Sequence, residues 1–374
     1  MEQHFHPEHL WPERGTAAER LTRMHNHLKQ TMPQIDRVAF ALYDAGDDML
    51  KTFINSTHRG TAIQAYQYPL SHSESLSSLA HTGYCRVVDD IRSSFGPHTR
   101  HSQWLLDQDY LSSFTLPLYD EQQLIGFLFF DSCQAAAFTP KVQRDLLLYS
   151  NLINMAISAE LRAIRTVLNS ARVAREFAHL RDFETGAHLE RMARYSRLIA
   201  IEVREAFELT DEQIEHIALF APLHDVGKIG IPDRVLLKPG PLDAGEWQLM
   251  RSHVEKGELL IRKILGDFGV EHLPDSDIML NLVACHHEFL DGSGYPRGLK
   301  GEAIPKVARI VTVADIFDAL TSKRPYKTPW PITQALEELE RMVALGKLDP
   351  LCVAALKRRG QEAQDIILGF PDGD

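Results

Sequence analysis

Two adjacent imidazoles open the segment His286-His287-Glu288-Phe289-Leu290-Asp291-Gly292-Ser293-Gly294-Tyr295-Pro296, which joins them to a glycine-rich turn. Imidazole nitrogens are metal donors, and glycines let a backbone approach a ligand closely. Sixty-two residues upstream, His224-Asp225 precedes Val226-Gly227-Lys228. Such a pair offers one nitrogen donor and a carboxylate able to bridge two cations. Together the two segments point to metal-assisted hydrolysis.

The elements around these residues are apolar. Ile214 to Leu223 reads as a buried helix that delivers His224-Asp225, and burying that pair is costly unless a metal or partner compensates. Ile278 to Cys285 is a second such helix, ending at His286 and His287. Asp315 lies in Ala308 to Leu320, a run so apolar that a carboxylate there is hard to explain as solvated. Asp318, one turn on, reads as a cap or a partner for Arg324. His253 falls on a helix opened by Asp243, with Glu246 three residues later as in a capping box. Glu184 and His188 are four apart, hence on one helical face. Five histidines and three carboxylates exceed the needs of a mononuclear zinc site and fit two or three metals. Cys285 reads as a small buried apolar residue.

At 374 residues, with 44% hydrophobic content, the chain suits two domains, each with its own core. Apolar stretches such as Leu124 to Phe130 are too short to span a bilayer, and the N-terminus lacks a signal-peptide layout. A cytoplasmic, membrane-free protein is expected. Cys85, Cys133, Cys285 and Cys352 are widely spaced and indicate neither a zinc knuckle nor a disulfide framework. The net charge of -11 disfavours nucleic acid polymers. Between Arg297 and Lys327, however, seven basic residues face three acidic ones, a local reserve for phosphate groups.

Residues 1–22, with His4, His6, His9, Pro7 and Pro12, read as a flexible arm. Strand-like runs follow at Val38–Tyr43, Tyr84–Val88, Phe114–Tyr119 and Leu124–Phe130, the last two joined as an antiparallel hairpin through Asp120–Gln123. Thr139-Pro140 then starts a helix that meets no Gly or Pro until Gly186. Leu161, Ile164, Leu168 and Ala171 recur along it at three-four spacing, which suits the seam of a homodimer, and a helix packed on its own sheet would show a similar stripe.

The N-terminal half, about residues 23–146, resembles a GAF domain in its antiparallel sheet, the Ser113–Tyr119 strand, the Ile125-Gly126 return strand and the Phe138-Thr139 entry to the exit helix. The resemblance implies a regulatory domain that takes an unknown small ligand. From about 173 to 360 the chain resembles the HD-GYP phosphodiesterases of the HD hydrolase superfamily. That likeness rests on Glu184-Thr-Gly-Ala-His188, His224-Asp225-Val-Gly-Lys228, Ile229-Gly-Ile-Pro-Asp233, Lys238-Pro-Gly240, His253, His286 to Pro296, Ala314-Asp315 and Arg324-Pro-Tyr-Lys327.

The resemblance implies an α+β multidomain chain: arm 1–22, GAF-like α/β domain 23–146, linker helix 147–172 and all-α HD-GYP domain 173–374. It implies a metal cluster held by Glu184, His188, His224, Asp225, His253, His286, His287 and Asp315, with Asp225 bridging. The ions are two or three divalent metals, iron first and manganese next, with Glu184 and His188 helping to hold a third. Asp225 and Lys228 are the implied catalytic residues. Lys228, Tyr295, Arg324 and Lys327 are the implied substrate contacts, with the two long cations holding phosphates and Tyr295 bordering a guanine. The implied substrate is cyclic di-GMP, degraded to pGpG or GMP. Cyclic GMP-AMP is the alternative substrate. A non-catalytic nucleotide receptor would be marked by missing ligands, and none is missing. A nucleoside triphosphate phosphohydrolase would share His-Asp but not the Gly-Tyr-Pro loop. Val254 and Leu348 depart from the family pattern without removing a ligand.

Overall fold

The computed structural model describes residues 15–94, 96, 99–179, 186–271, 273–323 and 328–372, with 174–179 as backbone alone. The chain forms two compact units, 1–162 and 163–374, divided inside one long helix.

The first unit opens with α1 (Ala17–Thr31), started by a capping box between Thr16 and Glu19. Ala17 and Leu21 are buried, so order begins inside the stretch expected to be a flexible arm to residue 22. Strands β1 (Arg37–Asp44), β2 (Met49–Thr57) and β3 (Gln67–Pro69) are followed by α2 (Glu74–Thr82), β4 (Arg86–Val88), α3 (Ile91–Ser94) and α4 (Arg100–Asp107). The hairpin β5 (Ser112–Asp120) and β6 (Gln123–Ser132) leads to α5 (Pro140–His179). All strand pairs are antiparallel, in the order β3-β2-β1-β6-β5-β4. The four expected strands correspond to β1, β4, β5 and β6. β2 was not expected from the sequence, because Lys51, Thr52 and Asn55 interrupt its apolar pattern.

Alternation along the strands separates two faces. Val38, Phe40, Phe114, Leu128 and Phe130 pack with Leu21 and Leu28 of α1 and with Leu146, Ile153 and Ile157 of α5. Phe127 and Phe129 point to the opposite face, where Leu79 of α2 covers them in part.

The second unit is helical: α6 (Gly186–Phe207), α7 (Asp211–Phe220), α8 (Asp233–Leu236), α9 (Ala244–Arg251), α10 (His253–Asp267), α11 (Ser276–Cys285), α12 (Lys306–Thr321), α13 (Ile332–Ala344), α14 (Pro350–Arg358) and α15 (Gly360–Gly369). Its core gathers Tyr195 and Ile199 of α6, Ile217 and Phe220 of α7, Met279 and Leu282 of α11 and Phe317 of α12. Among the described residues no helix is long and apolar enough to cross a membrane.

The seam expected along α5 is corrected by the packing. Leu161 is buried in the core of the first unit, and Ile164 and Ala171 are buried in that of the second, with Leu168 packed against it. Residues that already fill their own cores cannot form a dimer seam. Among the apolar residues that α5 exposes, which also include Leu147 and Val173, Leu148, Leu152 and Met155 recur at four and three residue steps.

Candidate metal centre

All the described donors but Asp315 are set by the end of a helix or by a turn between helices. α7 stops at Phe220 because Pro222 follows, and a 3-10 turn over Ala221–Leu223 places His224 and Asp225. A second 3-10 turn, Val226–Gly230, then packs on α10. A Cβ on Gly227 would lie 1.9 Å from His253 O and 2.4 Å from Gly257 N, so only glycine permits the approach of this turn to α10. The helix expected to carry His253 from Asp243 onward breaks at Ser252, making His253 the first residue of α10. α11 ends at Cys285 and presents His286 and His287, while Asp315 projects from the middle of α12.

These elements bring seven of the eight expected ligands into two neighbouring groups, with donor atoms within 4.8 Å of one another inside each group. One comprises Asp225, His253, His286 and His287, and the other His188, His224 and Asp315. Asp225 joins them: its Oδ1 is 2.9 Å from His253 Nε2 and 3.7 Å from His286 Nε2, and its Oδ2 is 3.2 Å from His224 Nε2. Asp315 Oδ1 lies 4.0 Å from His224 Nε2. Glu184, Arg324 and Lys327 lie outside the described residues.

The imidazole tautomers are fixed from behind. His224 Nδ1 donates to Ala221 O at 2.9 Å, His253 Nδ1 to Met250 O at 2.8 Å, and His286 Nδ1 to Val283 O at 3.1 Å. His188 Nδ1 donates to Asp318 Oδ2 at 2.8 Å. A carbonyl or carboxylate can only accept, so each Nδ1 carries the hydrogen and each Nε2 presents its lone pair inward. The Nε2 atoms of His253 and His286 make no hydrogen bond among the described residues although both rings are buried. Buried polar atoms are ordinarily satisfied, and a cation is the partner this all-nitrogen-and-oxygen donor set fits.

The electrostatics agree with that fit. Burial acts to raise the carboxyl pKa of Asp225, yet Lys228 and His224 hold it well below the usual range and keep it ionised. Burial pushes the imidazoles of His286 and His287 down, so they stay neutral as ligands must. Lys228 Nζ stands 2.8 Å from Asp225 Oδ2.

The loop after His287 is pinned by Glu288, whose buried carboxylate accepts from Arg297 N at 2.7 Å and Leu299 N at 2.9 Å. Gly294 folds against 287–289, where a Cβ would meet Phe289 N at 2.4 Å. Tyr295 N donates to His287 O at 3.1 Å, and the Tyr295 ring rests on that of His287 with centroids 4.6 Å apart. The guanidinium of Arg251 lies 5.0 Å from the centroid of the Tyr295 ring.

Asp318, Arg191, Glu288 and Arg251 were not anticipated as parts of this site. Asp318 receives Arg191 Nε at 2.5 Å as well as His188, while Arg324, its expected partner, lies outside the described residues. The local basic surplus is also corrected. Arg297 Nη2 donates to Cys285 Sγ at 3.0 Å, Lys306 Nζ to Phe207 O at 3.0 Å, and buried Arg309 to Ile304 O at 2.9 Å with Asp349 and Glu302 beside it. These three cations hold the fold together and are not a phosphate reserve. Cys285, engaged by Arg297, adds no sulfur to the donor set. Leu348 and Val254 are buried packing residues.

Residues 177–351 match the family model for the HD domain. A cyclic di-GMP phosphodiesterase response regulator of Xanthomonas campestris is 42% identical over 225 residues, 60% of this chain and 55% of the relative. A 3'3'-cGAMP-specific phosphodiesterase of Vibrio cholerae is 41% identical over 198 residues, 51% of this chain and 34% of the relative. A cyclic di-GMP phosphodiesterase of Thermotoga maritima is 40% identical over 195 residues, 52% and 50% respectively. The chain thus spans about half the length, or less, of these relatives. Solved structures similar to it include the phycocyanobilin-bound GAF domain of a cyanobacterial phytochrome, at 14% identity and TM-score 0.32 over 39% of this chain and 86% of that one. The GAF domain of an Acinetobacter phosphoenolpyruvate-protein phosphotransferase aligns at 14% identity and TM-score 0.32, over 41% and 87%.

Proposed function

With residues 177–351 an HD domain, we propose that this chain is a metal-dependent cyclic dinucleotide phosphodiesterase that converts cyclic di-GMP to pGpG or GMP. The observation that supports it is the pair of donor groups meeting at Asp225. Asp225, His253, His286 and His287 would hold one divalent ion, and His188, His224 and Asp315, with Asp225 shared, a second. Glu184, four residues before His188 in the sequence, would serve a third. Iron fits the mixed imidazole and carboxylate set, with manganese next. Such ions, when bound, acidify water and neutralise charge on phosphate oxygens.

The residues of the chain then have distinct tasks. Lys228, its side chain 23% exposed beside Asp225, offers a proton or a point charge to the leaving oxygen. Arg324 and Lys327 hold phosphates. Tyr295 borders the base and keeps the His287 ring in place. The N-terminal GAF-like unit acts as the regulatory input, and the chain works as a homodimer in the cytoplasm.

Relatives named for cyclic di-GMP and for 3'3'-cGAMP stand at nearly equal identity, so the two dinucleotides must be compared directly. Anaerobically purified protein, analysed for metal and incubated with each, should yield linear products from cyclic di-GMP faster than from cyclic GMP-AMP. His224→Ala and Asp225→Ala should each lose bound metal and hydrolysis together. Full hydrolysis by metal-free protein would sink the reading, and release of inorganic phosphate or triphosphate from mononucleotides alone would replace it.

A further inference from the structure

The sheet face turned away from α1 and α5 is unusually polar for a strand interior. In the ladder, Arg37 of β1 stands opposite Asp131 of β6, which stands opposite Ser113 of β5. One step along, Ala39 faces Phe129, Phe129 faces Thr115, and Thr115 faces Arg86 of β4. Ala39 and Ala41 keep this floor low, and above it lies a cavity of about 240 Å³.

Two guanidiniums enter the lining. Arg37 bonds Asp131, and its Nε, on a side chain only 5% exposed, has no hydrogen-bond partner among the described residues. Arg86 donates to the hydroxyls of Ser75 and Thr115. Against them the lining sets one carboxylate, Asp131, which also accepts from Ser113 at 2.8 Å. The lining holds no second carboxylate, and burial pushes the Tyr66 phenol up, so Tyr66 stays neutral. Burial pushes the His101 imidazole down to about 4, so that ring is neutral too.

One wall is aromatic and ordered. Tyr68 stacks on Tyr66 at 6.4 Å between centroids and Tyr66 on His101 at 6.1 Å, both within 20° of parallel. Phe129 closes the floor beside His101. The space exceeds the roughly 150 Å³ of an engineered protein cavity that accepts benzene, and is far below what a cyclic dinucleotide needs.

We propose that this cavity binds a small aromatic monocarboxylate, its anion held by Arg37 and Arg86 and its ring lying between the Tyr66–His101 wall and Phe129. One net positive charge in the lining matches one carboxylate. Planar guanidiniums match that group in a forked geometry.

The test is titration calorimetry of the full chain with benzoate, phenylacetate and indole-3-acetate, each beside its neutral amide. At least one acid should bind at one site per chain with Kd near or below about 1 mM, and its amide at least about tenfold more weakly. Arg86→Gln should weaken the acid by about tenfold or more. Ala39→Leu, which fills the floor and retains both arginines, should abolish binding while circular dichroism and metal content stay unchanged. An amide equal to its acid, undiminished binding by Arg86→Gln or Ala39→Leu, or no binding of any acid overturns the proposal.

Discussion

A neutral imidazole offers a lone pair at Nε2 only when Nδ1 holds the hydrogen, and the carboxylate that enforces this for His188 is Asp318. The same carboxylate is the buried partner of Arg191, whose Nη2 lies 3.0 Å from Asp318 Oδ2 and 2.7 Å from Ser322 Oγ. Asp318→Asn therefore has two separable consequences. Loss of the His188 orienter should weaken metal binding by about 10–100-fold, read as metal content across graded manganese. Loss of a charge partner for a buried guanidinium should cost about 3–5 kcal/mol, read as a urea midpoint. Full metal affinity with reduced stability would assign Asp318 to Arg191 alone. The sequence displays Asp315 as anomalous in an apolar run, but Asp318 reads only as a cap or a partner for Arg324, because its observed partners lie 127 and 130 positions away. Donor types at helix ends are a local signal. The groups that orient donors become neighbours only on folding.

At the scale of elements, α1 is fastened to the sheet by a buried histidine. His25 Nε2 donates to Ile35 O at 3.0 Å, and in the neutral ring Nδ1 accepts from the Ser56 hydroxyl at 2.9 Å. Burial pushes its pKa down from 6.5 to about 4. As pH falls through that window the unfolded chain takes the proton first, so the stabilisation is complete above about 6.5 and lost toward 4. The loss amounts to about 3 kcal/mol. Denaturant titrations of the N-terminal transition at pH 7, 5.5 and 4.5 should show wild type losing that much more than His25→Gln; parallel curves would refute it. α5 carries a second expectation. If Leu148, Leu152 and Met155 make the contact between copies, Leu152→Glu with Met155→Glu should give monomers by light scattering. Leu161→Ala should instead lower stability by about 2–5 kcal/mol and leave assembly intact. The length of α5 was readable because Thr139-Pro140 marks its start and no breaker follows. The face it presents was not, since the same three-four stripe serves a partner helix or the chain's own core. β2 escaped notice for a related reason: Thr52 and Asn55 line a cavity, so they break the alternation that identifies a half-buried strand.

At the scale of the molecule, two hydrophobic cores are built from separate residues, Phe40, Phe114 and Phe130 in one and Tyr195, Phe220 and Phe317 in the other. Length and composition made two domains legible, but the division at 162/163 was not, because α5 crosses it without a change of pattern. The donor groups all belong to the second unit: His188, His224, Asp225, His253, His286, His287 and Asp315. A ligand that binds only the folded state stabilises it by about 2.7 kcal/mol at a hundredfold excess over Kd. Metal should therefore act on one unit alone. Calorimetry of chelator-stripped protein should show the transition of the second unit at lower temperature, and added manganese should raise it by several degrees. The transition that carries the His25 pH dependence should stay fixed. The His224→Ala variant should keep both transitions and lose the shift, since its Nε2 faces Asp225 while its Nδ1 contact is to a backbone carbonyl. A metal-induced rise of both transitions in step would mean that the units unfold together. A rise of the first alone would place the metal elsewhere than on Asp225 and its histidines.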